Sequence, residues 1–420
     1  MQYLAILGRQ PKISLAELES LFSNVKYLGG NLATFESKKE PEISRLGGTI
    51  KLAREISFLE NNSGKSTPVD FLLDFVKTNN YSGKLVIGVS DYSKNASARG
   101  AQGEALHVKR LLKNHEVSAR VLPNKSAGLS SATVFHNQLG EKPGRFELIK
   151  VGKKWYVGIG VQNINAYTKR DQARPARDAK NGMLPPKLAQ ILVNLCGSLR
   201  PGATVLDPFC GTGVVLQEAI LMGYRAYGTD KSERIVGFAK KNLDWLMRSN
   251  LAIGKGLSNS GTEAAQSPFE GPKTWLSGPE RPEKGALRAS AKPIELACAD
   301  ATDFTWRQPI DAVAFEGYLG PPMSNPPADI KLKSVMADIY PLYYHTLRNL
   351  SSQIKSGTPV VMAVPAWLRP DGRYQRLNLL DEIDNLGYNV IKYQNLSQND
   401  LLYFRDGQVV AREIIVLRKK

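Results

Sequence analysis

The stretch that decides the fold of the C-terminal part of the chain is DPFCGTG, residues 207–213. An apolar run before it, Ala203–Leu206, predicts a β-strand, and the run after it, Val214–Met222, predicts a helix. Gly211 and Gly213 permit a tight turn and a close approach of a ligand to the backbone. The start of the following helix favours a negatively charged ligand group. The stretch therefore predicts a ligand-binding loop at the carboxyl end of a strand.

A second acid strengthens this interpretation. Asp230 ends the next predicted strand, 23 residues after Asp207, and a carboxylate in that place can accept hydrogen bonds from two ribose hydroxyls. No GK[ST] follows the loop, which argues against a phosphate-binding P-loop, and the absence of GxGxxG weakens a dinucleotide site. The alternative is that Asp230 only caps the helix predicted over Ser232–Met247.

The order of predicted elements gives the fold class. From about residue 184 strands alternate with helices, and a hairpin turns at Asp406-Gly407, which predicts an α/β domain with an open, doubly wound sheet. The chain before it predicts an α+β region, in which Ser14 and Glu17 are interpreted as a capping box that starts a helix. Residues 250–292 are rich in Gly, Ser, Pro and Ala without apolar periodicity, so they predict a flexible insertion.

Charge and composition narrow the classes of function. The net charge of +17 is concentrated in residues 1–180, which hold 28 Lys and Arg against 16 Asp and Glu. This excess favours a polyanionic partner such as nucleic acid, although a solvated basic surface is the alternative. Three separated cysteines and four histidines give no metal-ligand spacing, so we expect no metal. We also expect no signal peptide, no membrane span and a cytoplasmic location.

The quoted residues resemble a known family. DPFCGTG with the later GTD at 228–230 looks like the S-adenosylmethionine site of class I amino-methyltransferases. RDQARPARDAKNGMLPPKLAQILVNL at 170–195 is similar to the segment that precedes this site in THUMP-domain tRNA guanine-N2 methyltransferases. LGRQPKISLAELESLF, RLGGTIKLA and LSSATVFHNQL resemble the N-terminal domains of the same family.

The resemblance implies three domains and two sets of functional residues. The domains are a ferredoxin-like domain at 1–65, a THUMP-like RNA-binding domain at 66–165 and a Rossmann-like class I methyltransferase domain at 166–420. The expected S-adenosylmethionine-binding residues are Asp207, Phe209, Gly211, Gly213, Asp230, Asp300, Ala301, Met183 and Pro185. The expected RNA-binding residues are Lys109, Arg110, Lys113, Arg120 and Lys125.

The substrate pocket departs from the family pattern. The family usually has [DN]PP[YF] at the end of the fourth strand, where an acceptor binds the target amine and the aromatic ring stacks on the base. Here the predicted strand Ile310–Phe315 is followed by EGYLGPPMSNPP. We expect Glu316 and Tyr318 to be catalytic because they stay at the strand end, whereas Asn325 of the NPP sequence lies nine residues farther on.

The sequence thus predicts S-adenosylmethionine-dependent methylation of an exocyclic amine, N2 of a guanine in tRNA. Two alternatives stay open. A DNA amino-methyltransferase would share the cofactor loop but would not need a THUMP-like region. A non-catalytic RNA-binding protein with a degenerate pocket would explain the departure from the usual motif.

Overall fold

Two β-sheets organise the protein. The computed structural model describes residues 1–56, 67–178, 183–249, 294–307 and 309–420. Among them, eight strands form a sheet in the N-terminal part and nine form a sheet in the C-terminal part. The predicted insertion at 250–292 lies outside the described residues.

The N-terminal sheet is continuous across the first predicted domain boundary. Its strands are β1 (Gln2–Leu7), β2 (Ser23–Gly29), β3 (Leu32–Glu36), β4 (Thr49–Glu55), β5 (Leu85–Asp91), β6 (Ala119–Val121), β7 (Arg145–Val151) and β8 (Lys154–Val161). They follow the order β2-β3-β1-β4-β8-β7-β5-β6. Antiparallel pairing of β4 with β8 joins the strands of residues 1–65 to those of residues 66–165. The division into two N-terminal domains stays a prediction.

The described residues of the N-terminal part form five α-helices. They are α1 (Pro11–Leu21), α2 (Pro68–Thr78), α3 (Ala98–Asn114), α4 (Ser131–His136) and α5 (Ile164–Gln172). On α3 the buried residues Ala101, Ala105, Val108 and Leu112 recur every three or four positions, which is the spacing of one helix face. The sequence Ala105–Leu112 by itself predicts a basic amphipathic helix, which the structure confirms, whereas α5 is an element that the sequence analysis missed.

The predicted capping box at Ser14 is wrong. Helix α1 begins three residues earlier, because Pro11 occupies its first position, where proline is well tolerated. Ser14 lies inside the helix and its hydroxyl donates to the carbonyl oxygen of Gln10, 3.0 Å away. Glu17 is fully buried and accepts hydrogen bonds from the amides of Gly47 and Gly48, both at 2.8 Å. Both side chains therefore contribute to tertiary packing and cap nothing.

The C-terminal sheet has the topology of a class I methyltransferase. Its strands are β9 (Thr204–Asp207), β10 (Arg225–Asp230), β11 (Ile294–Cys298), β12 (Ala312–Glu316), β13 (Pro359–Leu368), β14 (Tyr374–Arg376), β15 (Tyr388–Val390), β16 (Leu402–Tyr403) and β17 (Val410–Lys419). The main order is β11-β10-β9-β12-β13-β17-β15, with the first five strands parallel and β17 antiparallel. The Rossmann-like α/β prediction is confirmed.

This order creates a topological switch point between β9 and β12. The chain runs from β9 outward through β10 to β11 on one side, and from β12 to β13 on the other. Ligands of open α/β sheets bind at the carboxyl ends of the strands beside such a point. Asp207, Asp230 and Glu316 are the last residues of β9, β10 and β12, so the topology brings three acids to this edge.

Four further helices pack on this sheet. They are α6 (Pro186–Leu195), α7 (Val214–Leu221), α8 (Glu233–Arg248) and α9 (Asp329–Ser351). Helix α9 was missed from sequence, because its N-cap residue Ala328 gives no capping signal and Pro341 stands inside it. The sequence Val390–Tyr393 predicts a strand, but the observed strand is displaced toward the N-terminus, since only Val390 of that range belongs to β15.

Helix α6 joins the two parts of the protein. Nine of its ten residues are buried, because it contacts α1 on one side and α7 and the sheet on the other. A helix that is apolar nearly all round is typical of such a position. Its Asn194 donates hydrogen bonds to the Glu17 carboxylate and to the carbonyl oxygen of Arg45, each 2.7 Å long. In this junction burial raises the pKa of Glu17 to about 7.

Candidate active site

The DPFCGTG loop adopts the tight turn that its glycines predict. Gly211 and Gly213 have φ angles of +51° and +85°, a left-handed region that side chains with a Cβ avoid. Gly213 is the N-cap of α7, so the turn delivers the chain directly from β9 into that helix. The Asp207 carboxylate accepts a hydrogen bond from the amide of Phe209, 3.0 Å away, which holds the acid inside the turn.

Asp207 is the one acid of the DPFCGTG loop, and its pKa is strongly shifted. Its side chain is buried, and burial holds its pKa well above the usual range for an aspartate, with the nearby charges of Asp230 and Glu316 acting in the same direction. A buried carboxyl of this kind favours a positively charged partner, because a cation would stabilise its ionised form.

Asp230 connects the ends of two strands. One carboxylate oxygen accepts from the amide of Gly211, 3.2 Å away, and the other from the amide of Ser232, 3.0 Å away. The second contact lies at the N-cap of α8 and resembles the helix-capping role considered for this residue. The first contact belongs to the ligand loop, so Asp230 does more than begin a helix.

Asp300 and Ala301 follow β11 and complete this edge of the site. The Asp300 carboxylate accepts hydrogen bonds from the amide and the hydroxyl of Thr302, at 3.0 and 2.7 Å. These bonds, the amide first, hold the pKa of Asp300 below its usual range. Asp300 is therefore a local turn acid as well as a residue of the site, and Ala301 is buried beside it.

A single cavity of about 500 Å³ brings these residues together, within the range of small-molecule and cofactor sites. Of the sequence-predicted residues, those that line it are Met183, Asp207, Phe209, Gly211, Asp230, Asp300, Ala301, Glu316 and Tyr318. Gly213 and Pro185 do not line it, and a contact of either residue with the cofactor stays a prediction. Gly213 shapes the turn, and Pro185 is the N-cap of α6.

Glu316 and Tyr318 lie at the wall of the cavity where β12 ends. Between them, Gly317 faces the ring of Tyr343, and a Cβ added there would lie 2.5 Å from its atoms. The Tyr343 hydroxyl donates to the carbonyl oxygen of Tyr318, 3.1 Å away. Tyr318 itself is 50% exposed, so its ring is available to a large ligand. By contrast, Asn325 is exposed and is not among the residues that line the cavity.

Sequence reasoning missed two residues that shape this wall. Tyr343 comes from α9, which was not predicted, and its ring lies 6.4 Å from that of Phe209. Arg412 comes from β17, and its guanidinium forms an ion pair with the carboxylate of Glu316. No local sequence pattern predicts that either residue belongs to the site, because tertiary structure brings each of them there.

The segment before α6 closes one side of the cavity. Asp178, Met183 and Leu184 line it, and Arg174 donates a hydrogen bond to the Thr212 hydroxyl in the DPFCGTG loop, 3.3 Å away. Residues 179–182 of this segment lie outside the described residues. Cys210 also lines the cavity, but burial raises the pKa of its thiol well above the usual range, which argues against a nucleophile.

The predicted RNA-binding residues lie on one part of the N-terminal region. Lys109, Arg110 and Lys113 are exposed on α3, Arg120 is exposed on β6, and Lys125 is exposed four residues after that strand. Helix α3 contacts both β5 and β6. The five side chains thus occupy one helix, the adjacent edge strand and the loop after it. Contacts of such residues with phosphates would position a nucleic acid without reading its sequence.

Among the described residues there is neither a candidate metal-ligand group nor a membrane-spanning helix. Outside the residue ranges missing from the structure, no three His, Cys, Asp or Glu residues are grouped so as to hold a metal ion. Within the same ranges, no helix has the length and apolar character needed to cross a membrane.

Comparison with known proteins identifies the domain around the loop. Residues 174–252 match the family model UPF0020, RMKL-like methyltransferase domain. The chain is 35% identical over 105 residues to a tRNA (guanine(10)-N2)-dimethyltransferase of Pyrococcus abyssi, and 47% identical over 75 residues to that of Methanothermobacter thermautotrophicus. These alignments cover 25% and 17% of this chain and span 31% and 22% of the relatives' length. The predicted resemblance to tRNA guanine-N2 methyltransferases is confirmed over these segments.

Solved structures show a weaker likeness over a greater length. TrmN from Thermus thermophilus aligns over the whole of both chains with a TM-score of 0.42 and 18% identity. A possible methylase from Clostridium difficile 630 aligns over all of this chain and 97% of its own with a TM-score of 0.39 and 14% identity. Because these scores are low, the assignment of the fold rests on the strand order.

Proposed function

We propose that this chain transfers a methyl group from S-adenosylmethionine to the exocyclic N2 amine of a guanine in tRNA. The observation that carries the proposal is the single cavity between the glycine turn with Asp230 on one side and Glu316 with Tyr318 on the other. Such a cavity can hold a nucleoside cofactor and present its reactive end to a base.

The residues around the loop fit the chemical groups of S-adenosylmethionine. We assign Asp230 to the ribose hydroxyls, because its carboxylate stands at a strand end and retains acceptor capacity. We assign Asp300 and Ala301 to the adenine, and Met183 to the cover of the pocket. Asp207 suits the positively charged amino group of the methionine part, which would stabilise the ionised form of this buried acid.

Glu316 and Tyr318 supply the functions that the substrate base needs. When bound, S-adenosylmethionine supplies a methyl group on a positively charged sulfur. Transfer of this methyl group to the amine nitrogen would leave the electron pair of the broken carbon–sulfur bond on sulfur, and the proton released by the nitrogen would pass to water. Glu316 accepts a hydrogen bond from the amine and stabilises the positive charge that develops on it. Tyr318 stacks on the base, which must leave its helix to reach the cavity.

Two independent observations support the assignment of tRNA as the substrate. The relatives are named for guanine 10 of tRNA and for dimethylation, and we extend both to this chain. The N-terminal region, with its five exposed basic residues, supplies a surface for the phosphates. We also propose a cytoplasmic location, because three separated cysteines without a disulfide fit a reducing compartment.

A methylation assay on two substrates tests this proposal. The full chain is incubated with methyl-labelled S-adenosylmethionine and either unmodified tRNA or duplex DNA. We expect label in N2-methylguanosine of the tRNA only. Equal labelling of DNA would favour a DNA amino-methyltransferase, and cofactor binding without turnover on any RNA would favour a degenerate pocket.

A further inference from the structure

The acid assigned to the substrate amine is held from behind by a residue of another strand. In the sheet, β13 lies between β12 and β17, with Glu316 beside Ala363 and Arg412 beside Pro365. The Arg412 side chain reaches past β13 to Glu316 and is 6% exposed. Glu316 lines the cavity and Arg412 does not, so the carboxylate stands between the guanidinium and the cavity.

The two oxygens of Glu316 are engaged unequally. The Arg412 Nε donates a close hydrogen bond to Oε2, whereas Nη2 lies 3.5 Å from Oε1, at the limit of a hydrogen bond. An ionised carboxylate has about four acceptor positions. The Arg412 contact therefore fixes Oε2 and leaves Oε1 with acceptor capacity for a ligand.

The orientation of Glu316 needs such support. Gly317 follows Glu316 at the position where the family's usual motif has a proline, and glycine is the least restricted residue. Glutamate also has one more rotatable bond than aspartate, so an unsupported side chain would sample several positions. A guanidinium is well suited to hold a carboxylate because its donors have fixed directions.

We propose, on the basis of the proposed function, that Arg412 is a positioning residue for methyl transfer. It anchors Oε2 of Glu316 so that Oε1 faces the amine of the guanine.

The same strand offers a matched control. Glu413, the next residue on β17, is buried and forms an ion pair with Arg376. Successive strand residues point to opposite faces of the sheet, and neither Glu413 nor Arg376 lines the cavity. Arg376→Gln breaks this second ion pair, so it shows how much the loss of an ion pair with β17 lowers the rate through stability alone.

The test measures single-turnover methylation of tRNA by three single variants, Arg412→Gln, Arg412→Lys and Arg376→Gln. It also compares Glu316→Gln with the double variant that combines Glu316→Gln and Arg412→Gln. We expect Arg412→Gln to slow the reaction about 10- to 100-fold, the effect of misplacing a reacting group. Arg412→Lys restores part of the rate and Arg376→Gln leaves it near that of the wild type. In the Glu316→Gln background, Arg412→Gln costs less than about threefold, because there is no carboxylate left to position.

Two further readouts separate positioning from folding. S-adenosylmethionine affinity, measured by calorimetry, stays within a few-fold in the Arg412 variants if they remain folded. An equal loss of rate in both backgrounds, or a wild-type rate in Arg412→Gln, overturns the proposal. If wild-type protein does not methylate tRNA, the proposed function fails separately, and a crystal structure of Arg412→Gln then decides: an unmoved Glu316 side chain overturns the positioning role.

Discussion

The amide of Gly211 donates a hydrogen bond to the carboxylate of Asp230, 3.2 Å away. This contact ties the glycine turn after β9 to the end of β10, so the two sequence signals that predicted the cofactor site belong to one structural unit. The remaining acceptor positions of the same carboxylate are those assigned to the ribose.

Substitution of Asp230 is expected to weaken cofactor binding. Asp230→Ala removes two ribose hydrogen bonds to a charged group as well as the acceptor of the Gly211 amide. Each bond is worth on the order of 1.5 kcal/mol, so for two bonds calorimetry should show S-adenosylmethionine affinity lower by about 100-fold or more. Asp244→Ala, at an exposed position of α8, is the control and should bind normally. Unchanged affinity in Asp230→Ala would disprove the ribose assignment.

The choice of Glu316 over Asn325 is tested by turnover. Glu316→Gln should lower single-turnover methylation about 10²- to 10³-fold, the usual cost of losing an electrostatic group that stabilises the transition state. Its S-adenosylmethionine affinity should stay within a few-fold. Asn325→Ala should have a smaller effect, because Asn325 does not line the cavity. If the Asn325 variant is the inactive one, the acceptor has been misassigned by nine residues.

The basic residues of α3 are expected to bind phosphates. Replacing Lys109, Arg110 and Lys113 by alanine should reduce the log–log salt slope of tRNA binding by about 2–3. Each phosphate contact releases counterions when it forms, and the variant forms fewer such contacts. The control replaces Lys240, Lys241 and Arg248, exposed on α8, and removes the same charge from the other part of the protein. Filter binding at several salt concentrations measures both. The same slope in the α3 variant and the wild type would rule out this surface.

Glu17 makes stability depend on pH. Its pKa is about 7 in the folded protein and about 4.3 in an unfolded chain, so folding takes up a proton between these values. The stability linked to this proton is fully present below about pH 4.3 and is lost as pH rises through 7, by on the order of 3 kcal/mol.

Urea unfolding of wild type and Glu17→Gln at pH 5 and pH 8 measures this dependence. The variant should lose less stability between the two pH values than the wild type does. An identical difference in both proteins would show that Glu17 does not titrate in this range.

The local signals predicted the geometry of the glycine loop and the acid beside it well. A glycine turn between a strand and a helix, and an acid at the end of the following strand, are properties of neighbouring residues, and they appear in the structure as expected. Glu316 could also be predicted, because it is the last residue of a strand whose apolar run is plain in the sequence. The role of Gly317 could not be predicted, because its close approach to Tyr343 depends on α9, which was missed from sequence.

The features that sequence reasoning missed depend on distant residues. Arg412 meets Glu316 across 96 positions of sequence, and only the antiparallel insertion of β17 beside β13 brings them together. The capping box at Ser14 failed for the opposite reason. A local pattern was present, but Pro11 started the helix earlier, and packing against α6 gave Glu17 a buried role.

The decisive experiment is nucleoside mass spectrometry of tRNA from a strain that lacks this gene. We expect N2-methylated guanosine to disappear from position 10. The wild-type gene restores it, and a gene encoding Glu316→Gln does not. If N2-methylation of that guanosine is unchanged in the deletion strain, this chain is not the enzyme that makes it, and the proposed function is wrong.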